Sequence, residues 1–344
     1  MTKFIITGDW HVKGIAPRAR LDDFKTSLFR KIREVFSLAA KHQAAAIIVP
    51  GDILDSPQTT LGTLAELGRL LQDAPCPVLT IPGNHDLWGG NPASKFRTPY
   101  GLLAQLGLVQ DLTFREFIKE NLWNKEPGIY VSGHSFTVET DTPLGVNQFQ
   151  PPSVTDASGQ ADPHIVQIHV VHSMLMDRRP GFDMRHTLIS EVKTNAKVII
   201  SGHEHLGFGI KQREDGVLFI NPGALCRLSA HVAEIERQIQ VALLTIENGQ
   251  TSAELILIKS ALPGHEVLSR EHLENEVERE ARLDKFLSLL ASEGESKFLE
   301  VRDIIEDIAA RDNLPTDVKA DALRRIGEAR EQLGIQGAKT GVAV

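Results

Sequence analysis

The sequence predicts an α/β domain, with a largely parallel sheet covered by helices, followed by a small helical C-terminal region. Three observations predict it. Short apolar runs alternate with amphipathic helical patterns along residues 3–81. Several of those runs end in glycine or proline followed at once by Asp, Asn or His. After Pro263-Gly264 the strand patterns stop and Glu, Arg and Leu dominate.

Lys3-Phe4-Ile5-Ile6-Thr7 reads as the first strand, ending at Gly8. A loop with Arg18 and Arg20 follows, and Asp22 is placed to cap a helix reaching about Lys41. Phe24, Leu28, Ile32, Val35, Phe36 and Ala39 recur in that helix at steps of three and four, so they share one face. Ala45–Val49 is the second strand. A second helix, Thr60 to Gln72, puts Leu61, Leu64, Leu67 and Leu71 on one side. Val78–Ile81 is the third strand. Residues 88–98 form a glycine-containing loop with Lys95 and Arg97, and Pro99 opens a short helix. Residues 114–123 fit helix or loop equally.

Further strands are expected at 129–131, 165–171, 197–200 and 216–220, with a long proline-containing loop over 141–164. Gln238–Ile246 and Ala253–Lys259 flank an Asn248-Gly249 hairpin signal. Beyond the break, three helices are expected around 273–290, 301–308 and 318–326. The expected domains are therefore 1–263 and 264–344.

Composition sets outer limits. The chain has 344 residues, 42% apolar and 24% charged, ordinary for a globular protein. No run is long enough to span a membrane. A strand-like run starting near Met1 leaves no room for a signal peptide, and Cys76 and Cys226 form no disulfide framework, so a cytoplasmic protein is expected. The net charge of −8 is concentrated late: residues 264–344 hold 12 Lys/Arg against 18 Asp/Glu. An acidic chain argues mildly against a nucleic-acid substrate, although a metal site supplies positive charge of its own.

Five clusters at strand ends carry the chemistry: Gly8-Asp9-Trp10-His11, Gly51-Asp52, Gly83-Asn84-His85-Asp86, His172-Ser173, and Gly202-His203-Glu204-His205. Read singly, Gly51-Asp52 is a turn, and Asp9 with His11 a capped strand end. In open sheets, however, ligands bind at the carboxyl ends of strands. Five such clusters in order point to one site for two divalent ions sharing a water or hydroxide nucleophile and clamping a phosphate. Asp9, His11, Asp52 and His205 suit one ion. Asp52, Asn84, His172 and His203 suit the other, with Asp52 bridging. The mixed Asp/His/Asn set favours Mn²⁺, with Mg²⁺, Fe and Zn as alternatives. His85 is left without an ion and is assigned as general acid for the leaving oxygen. Asp86 is assigned to orient the His85 ring. His172, at the strand end, is preferred over His169 inside the strand, and His134 is taken as structural.

This ordered motif set resembles the calcineurin-like metallophosphoesterases over about residues 1–260. Within them, Gly8-Asp9-Trp10-His11, Gly83-Asn84-His85-Asp86-Leu87 and Asn221-Pro222-Gly223-Ala224-Leu225 resemble the SbcD-type DNA-repair nuclease branch, which includes phage versions. The resemblance implies a β-sandwich flanked by helices in αββα layers. It implies Mn²⁺-dependent cleavage of DNA phosphodiesters, as exonuclease or endonuclease, in repair or recombination. It also implies homodimerisation and an SMC-like ATPase partner of the SbcC type, for which the acidic helical tail is a candidate arm. Arg18, Arg20, Lys95, Arg97, Arg178, Arg179 and Arg227 are candidate contacts to DNA phosphates. Within the same chemistry, a cyclic-nucleotide phosphodiesterase and a phosphoprotein phosphatase remain open, as does a fold serving only as a scaffold.

Overall fold

The computed structural model describes residues 1–113, 117–119, 128–154, 165–181, 183–269, 305, 308–309 and 314–325. The chain divides into two compact units, Met1–Ser269 and Arg270–Val344.

The first unit begins β1 (Thr2–Ile6), α1 (Phe24–His42), β2 (Ala46–Val49), α2 (Leu61–Gln72), β3 (Val78–Thr80), α3 (Pro99–Gln105) and β4 (Gln110–Asp111). It continues with β5 (Phe117–Lys119), β6 (Gly128–His134), β7 (Ile165–Ser173), β8 (Leu175–Met176), β9 (Thr187–Leu188) and β10 (Val198–His203). Then come β11 (Gly209–Gln212), β12 (Leu218–Asn221), α4 (Val232–Glu236), β13 (Gln240–Glu247), β14 (Gln250–Leu257) and α5 (Gly264–Val267).

Twelve strands form two six-stranded sheets, the sandwich that the motif resemblance implies, and β8 pairs with β9 in a separate two-stranded ribbon. Strand–helix alternation by itself suggests only one largely parallel sheet. The orders of the two six-stranded sheets are β14-β13-β1-β2-β3-β4 and β11-β12-β10-β7-β6-β5. Each has a parallel centre, β1-β2-β3-β4 in one and β12-β10-β7-β6 in the other. Antiparallel strands complete the edges. Alternation cannot show that the chain leaves the first sheet after β4 and returns to it as β13.

Both faces of the central strands are buried, which is why they read as unbroken apolar runs. In β1, Phe4 and Ile6 point into the core between the sheets, with Ile48, Leu79, Val131, Ile168, Ile200 and Leu244. Ile5 points the other way, to Phe24, Leu28, Ile32, Leu67 and Tyr100 beneath the helices. The outer face of the second sheet, with Val171, Ile199 and Phe219, is covered by Phe149, Ile189 and Val192. Phe149 and Ile189 belong to 3-10 turns, so the layers run helices, sheet, sheet, helical turns.

Local differences have local causes. The α1 cap is Asp23, whose carboxylate accepts from Thr26 N at 3.1 Å, because Asp22 is held by Arg20. In α2 the inward face is Leu64, Leu67, Leu70 and Leu71, while Leu61 in the first turn is 80% exposed. Residues 88–98 are two 3-10 turns rather than a loop. The first helix expected after residue 270 lies outside the described residues. Residues 305 and 308–309 of the second are helical, and the third is seen at 316–325.

Candidate metal centre

All five clusters lie at or just beyond the carboxyl ends of parallel strands: β1, β2 and β3 of the first sheet, β7 and β10 of the second. The backbone is strained where the ligand types sit. Among the described non-glycine residues with positive φ are His11 at 48°, Asp52 at 47° and His203 at 75°. Such left-handed turns cost energy and cluster at functional sites. Trp10 N and His11 N both donate to the Asp52 carbonyl, at 3.0 and 2.9 Å, which ties the first two clusters together. Trp10 itself is fully buried in the core under α1, so Asp9 and His11 are left for the site. Gly83 is required by close approach: a Cβ there would lie 2.2 Å from Asp52 Oδ1.

The side chains converge. His11 Nε2 lies 3.0 Å from His205 Nε2 and 3.5 Å from Asp52 Oδ2, and His205 Nε2 lies 3.4 Å from Asp9 Oδ2. On the other side of Asp52, His172 Nε2 lies 3.3 Å from the same Oδ2, 3.0 Å from Asn84 Oδ1 and 3.2 Å from His203 Nδ1. Asp52 Oδ2 thus stands between two nests of donors. Asp52 Oδ1 instead accepts from His85 N at 2.8 Å.

The donor set fits two divalent cations. Asp9 Oδ1 and Asp52 Oδ2 are buried and have no hydrogen-bond partner. An unsatisfied buried carboxylate oxygen is costly unless a cation faces it. His172 Nδ1 donates to the Pro50 carbonyl at 2.8 Å, which leaves Nε2 with a lone pair toward the site. Asp9, His11 and His205 form one group able to hold an ion, and Asp52, His172 and His203 another. His11, Asp52 and His85 form a third combination.

The electrostatics without a metal are those of packed opposite charges. Burial alone would raise the Asp52 carboxyl, but His172, His11 and His85 beside it hold it well below the usual carboxylate range. Burial would likewise lower His172, but Asp52 and Asp9 push it up to about 10. Burial and the neighbouring His172 charge hold His203 down to about 4. A divalent cation held here would stand in for the His172 proton, since metal ligands bind in the deprotonated form.

The structure brings Asp9, His11, Asp52, Asn84, His85, His172, His203 and His205 to one place. Asp86 is beside it but does not hold the His85 ring. Its oxygens accept from Leu54 N and Gly83 N, both at 3.0 Å, so it fastens the turn. Burial and the Asp52 charge push its carboxyl up to about 8. The His85 ring is held by Asp55, whose carbonyl accepts from Nδ1 at 2.8 Å. Sequence reasoning had no signal for a backbone carbonyl. His169 is spent elsewhere, with Nδ1 2.8 Å from Ser132 Oγ and Nε2 donating to the Gln148 carbonyl. His134 Nδ1 donates to the Ser135 carbonyl. Asp141, read only as loop, braces the strand behind His172 through Ser173 Oγ, Met174 N and Thr187 Oγ1.

The candidate phosphate contacts separate sharply. Arg178 and Arg179 line a cavity of about 670 Å³ together with Asp52, His85, His203 and His205. Arg18, in a loop, and Arg97, at the end of a 3-10 turn, are exposed. Arg20 is paired with Asp22 and its side chain is 2% exposed. Lys95 is buried and bound to Asp111 Oδ2 at 2.7 Å and Thr113 Oγ1 at 2.9 Å. Arg227 is buried and donates to the carbonyls of Glu234, Leu262 and Arg237. These three side chains serve the fold, not a ligand.

The family model described as calcineurin-like phosphoesterase matches residues 2–207. The DNA double-strand break repair protein Mre11 of Aeropyrum pernix is 34% identical over 89 residues, which span 25% of this chain and only 21% of that protein. Among solved structures, a dimetal phosphatase from Danio rerio has a TM-score of 0.45 at 12% identity, covering 75% of this chain and 99% of that one. The 5'-nucleotidase precursor from Thermus thermophilus has a TM-score of 0.40 at 10% identity, covering 76% and 55%.

Proposed function

We propose that this chain, which belongs to the calcineurin-like phosphoesterase family, is a two-metal phosphodiesterase that cuts DNA. The family is one of metal-dependent phosphoester hydrolases, and candidate Asp/His metal groups are present. The observation that carries the two-metal reading is the unpartnered Asp52 Oδ2 between His11 and His172, at 3.5 and 3.3 Å. Asp9, His11, Asp52 and His205 would hold one cation, and Asp52, Asn84, His172 and His203 the other, with Mn²⁺ as the expected metal. When bound, two such cations supply Lewis acidity and an activated water. His85, with Nδ1 fixed on the Asp55 carbonyl, presents Nε2 to protonate the leaving oxygen. Arg178 and Arg179 at the cavity attract the phosphate backbone.

DNA as substrate is supported by the motif flanks around Trp10, Leu87 and Asn221–Leu225 and by the stretch shared with the break-repair protein. The same likeness supports a role in repair or recombination, homodimerisation, a cytoplasmic setting and an SbcC-type ATPase partner bound through residues 264–344. Among the described residues no helix is long and apolar enough to cross a membrane. Incubation with Mn²⁺ and linear or single-stranded DNA is the test. Absence of cleavage, alone and with a candidate coiled-coil ATPase, sinks the reading. The cavity volume also suits a small phosphodiester. Turnover of a cyclic nucleotide without DNA cleavage would establish that second reading instead.

A further inference from the structure

The cavity over the candidate metal centre is lined by two chemically different sets of side chains. One is polar: Asp52, His85, His203, Glu204 and His205. The other set is Met174, Met176, Arg178, Arg179, Met184 and Leu206. Three of the chain's four methionines belong to it. Leu206, 43% exposed, extends the apolar surface, and Arg178 and Arg179 lie between the methionines in sequence.

This second set is held in place. Met174 N donates to the Asp141 carboxylate at 2.8 Å, and the Met174 carbonyl accepts from Thr187 N at 3.1 Å. Met174 also makes a β-bridge to His203, one of the metal-ligand candidates. Met176, in β8, pairs with Leu188 of β9. The apolar surface is therefore fixed within reach of the same cavity as the phosphate chemistry.

A phosphodiester group needs cations and hydrogen-bond donors; it makes no use of thioethers. A planar, weakly hydrated ring does, because methionine is flexible and polarisable and packs well against aromatic faces. A nucleobase attached to the scissile phosphate is such a ring. Within a duplex its faces are covered by neighbouring base pairs, so it reaches a surface like this only when unstacked. Thioether and isobutyl groups offer no donor to read base edges, so the surface tolerates every base.

We propose that Met174, Met176, Met184 and Leu206 form a subsite for an unstacked nucleobase beside the scissile phosphate, with Arg178 and Arg179 holding the flanking phosphates. The inference rests on the DNA reading above and narrows it to strands cut where a nucleotide has left the stack: single strands, frayed ends and mismatched termini.

The test compares two ligands on the Mn²⁺-loaded full chain: deoxyadenosine monophosphate and 2-deoxyribose 5-phosphate, which lacks the base. Calorimetry should show the nucleotide binding about 10-fold or more tightly, the scale of one base-stacking contact. In a Met176→Ala/Met184→Ala double variant the difference should fall to about 2-fold or less. Met184→Leu, which restores apolar volume, should keep most of it. Equal affinities in the unaltered chain overturn the proposal. So does a base preference that survives the double alanine variant, since the base then lies elsewhere. DNA cleavage with equal affinities rejects the subsite alone. A base preference that the alanines abolish, without DNA cleavage, upholds the subsite and rejects DNA as substrate.

Discussion

Two buried polar clusters lie on opposite sides of residues 224–226 and treat their hydrogen-bonding groups in opposite ways. On one side, Ala224 N donates to the His205 carbonyl at 2.9 Å and Leu225 N to the Asp9 carbonyl at 2.8 Å, fastening the segment to the metal centre. On the other, Lys31 donates to the Leu225 carbonyl, and Arg237 to the carbonyls of Ala224 and Cys226. Arg237 also pairs with Glu234 Oε2 at 3.0 Å. In this cationic knot no described side-chain atom of Lys31, Arg227, Glu234 or Arg237 is buried without a partner, whereas the metal centre leaves Asp9 Oδ1 and Asp52 Oδ2 bare. The lesson is that burial and charge do not mark function. Here the satisfied cluster is structure, while the metal centre gathers two bare carboxylate oxygens beside the imidazoles of His11, His172, His203 and His205, a combination that fits cations.

The largest expected effect breaks the unsatisfied side. Asp52→Asn should reduce activity about 10³-fold, as the cation that would stabilise charge on the reacting phosphate is no longer held. Metal analysis should show at least one ion gone. Full metal content with full activity would falsify the bridging assignment. Next comes His85→Ala, which should keep both ions and lower kcat by about 10²–10⁴-fold, the range for a positioned general acid. Unchanged kcat removes His85 from that role.

The satisfied side should respond in stability. Arg237→Ala leaves Glu234 buried without its partner and strips donors from two carbonyls, so unfolding should become easier by about 3–5 kcal/mol. A melting temperature within a degree or so of the unaltered chain would contradict that reading of the knot.

The smallest effect is a pH dependence. Burial, with help from Arg20, Arg237 and Arg227, brings Lys31 down from 10.5 to about 7. Between these values the unfolded chain keeps the proton and the folded chain has lost it. The unfolded state then binds more protons, so stability from this group rises with pH from about 7 toward 10.5 and is at its lowest below 7. Lys31→Met should remove that rise, which melting curves at pH 7 and 9.5 of both proteins would show. Identical slopes would mean that Lys31 is not the group responsible.

Much of the site was legible from sequence because metal chemistry demands particular side chains at strand ends. His172 over His169 follows from position alone: one is at the end of β7, the other three residues inside it. The cationic candidates were far less legible. Lys95, Arg20 and Arg227 sit near motifs in the chain but turn inward to Asp111, Asp22 and backbone carbonyls. A long flexible side chain reveals nothing of its direction in a sequence. The support of His85 was equally hidden, since any residue at position 55 offers the same carbonyl.

By itself the sequence determined most of the strands, most helix faces and the five candidate ligand clusters, because periodicity and metal-ligand chemistry are local properties of side chains; β4, β5, β8, β9 and β11 were not read as strands. Tertiary structure alone decided the order and pairing of the strands within the two sheets and that Asp52 stands between two imidazole nests. It also decided that Arg178 and Arg179 face the cavity while Lys95 does not. Those outcomes depend on which distant segments meet, as His11 and His205 do at 3.0 Å across 194 residues of chain. Contacts of that kind are set by packing the core between the sheets, not by any stretch of sequence read alone.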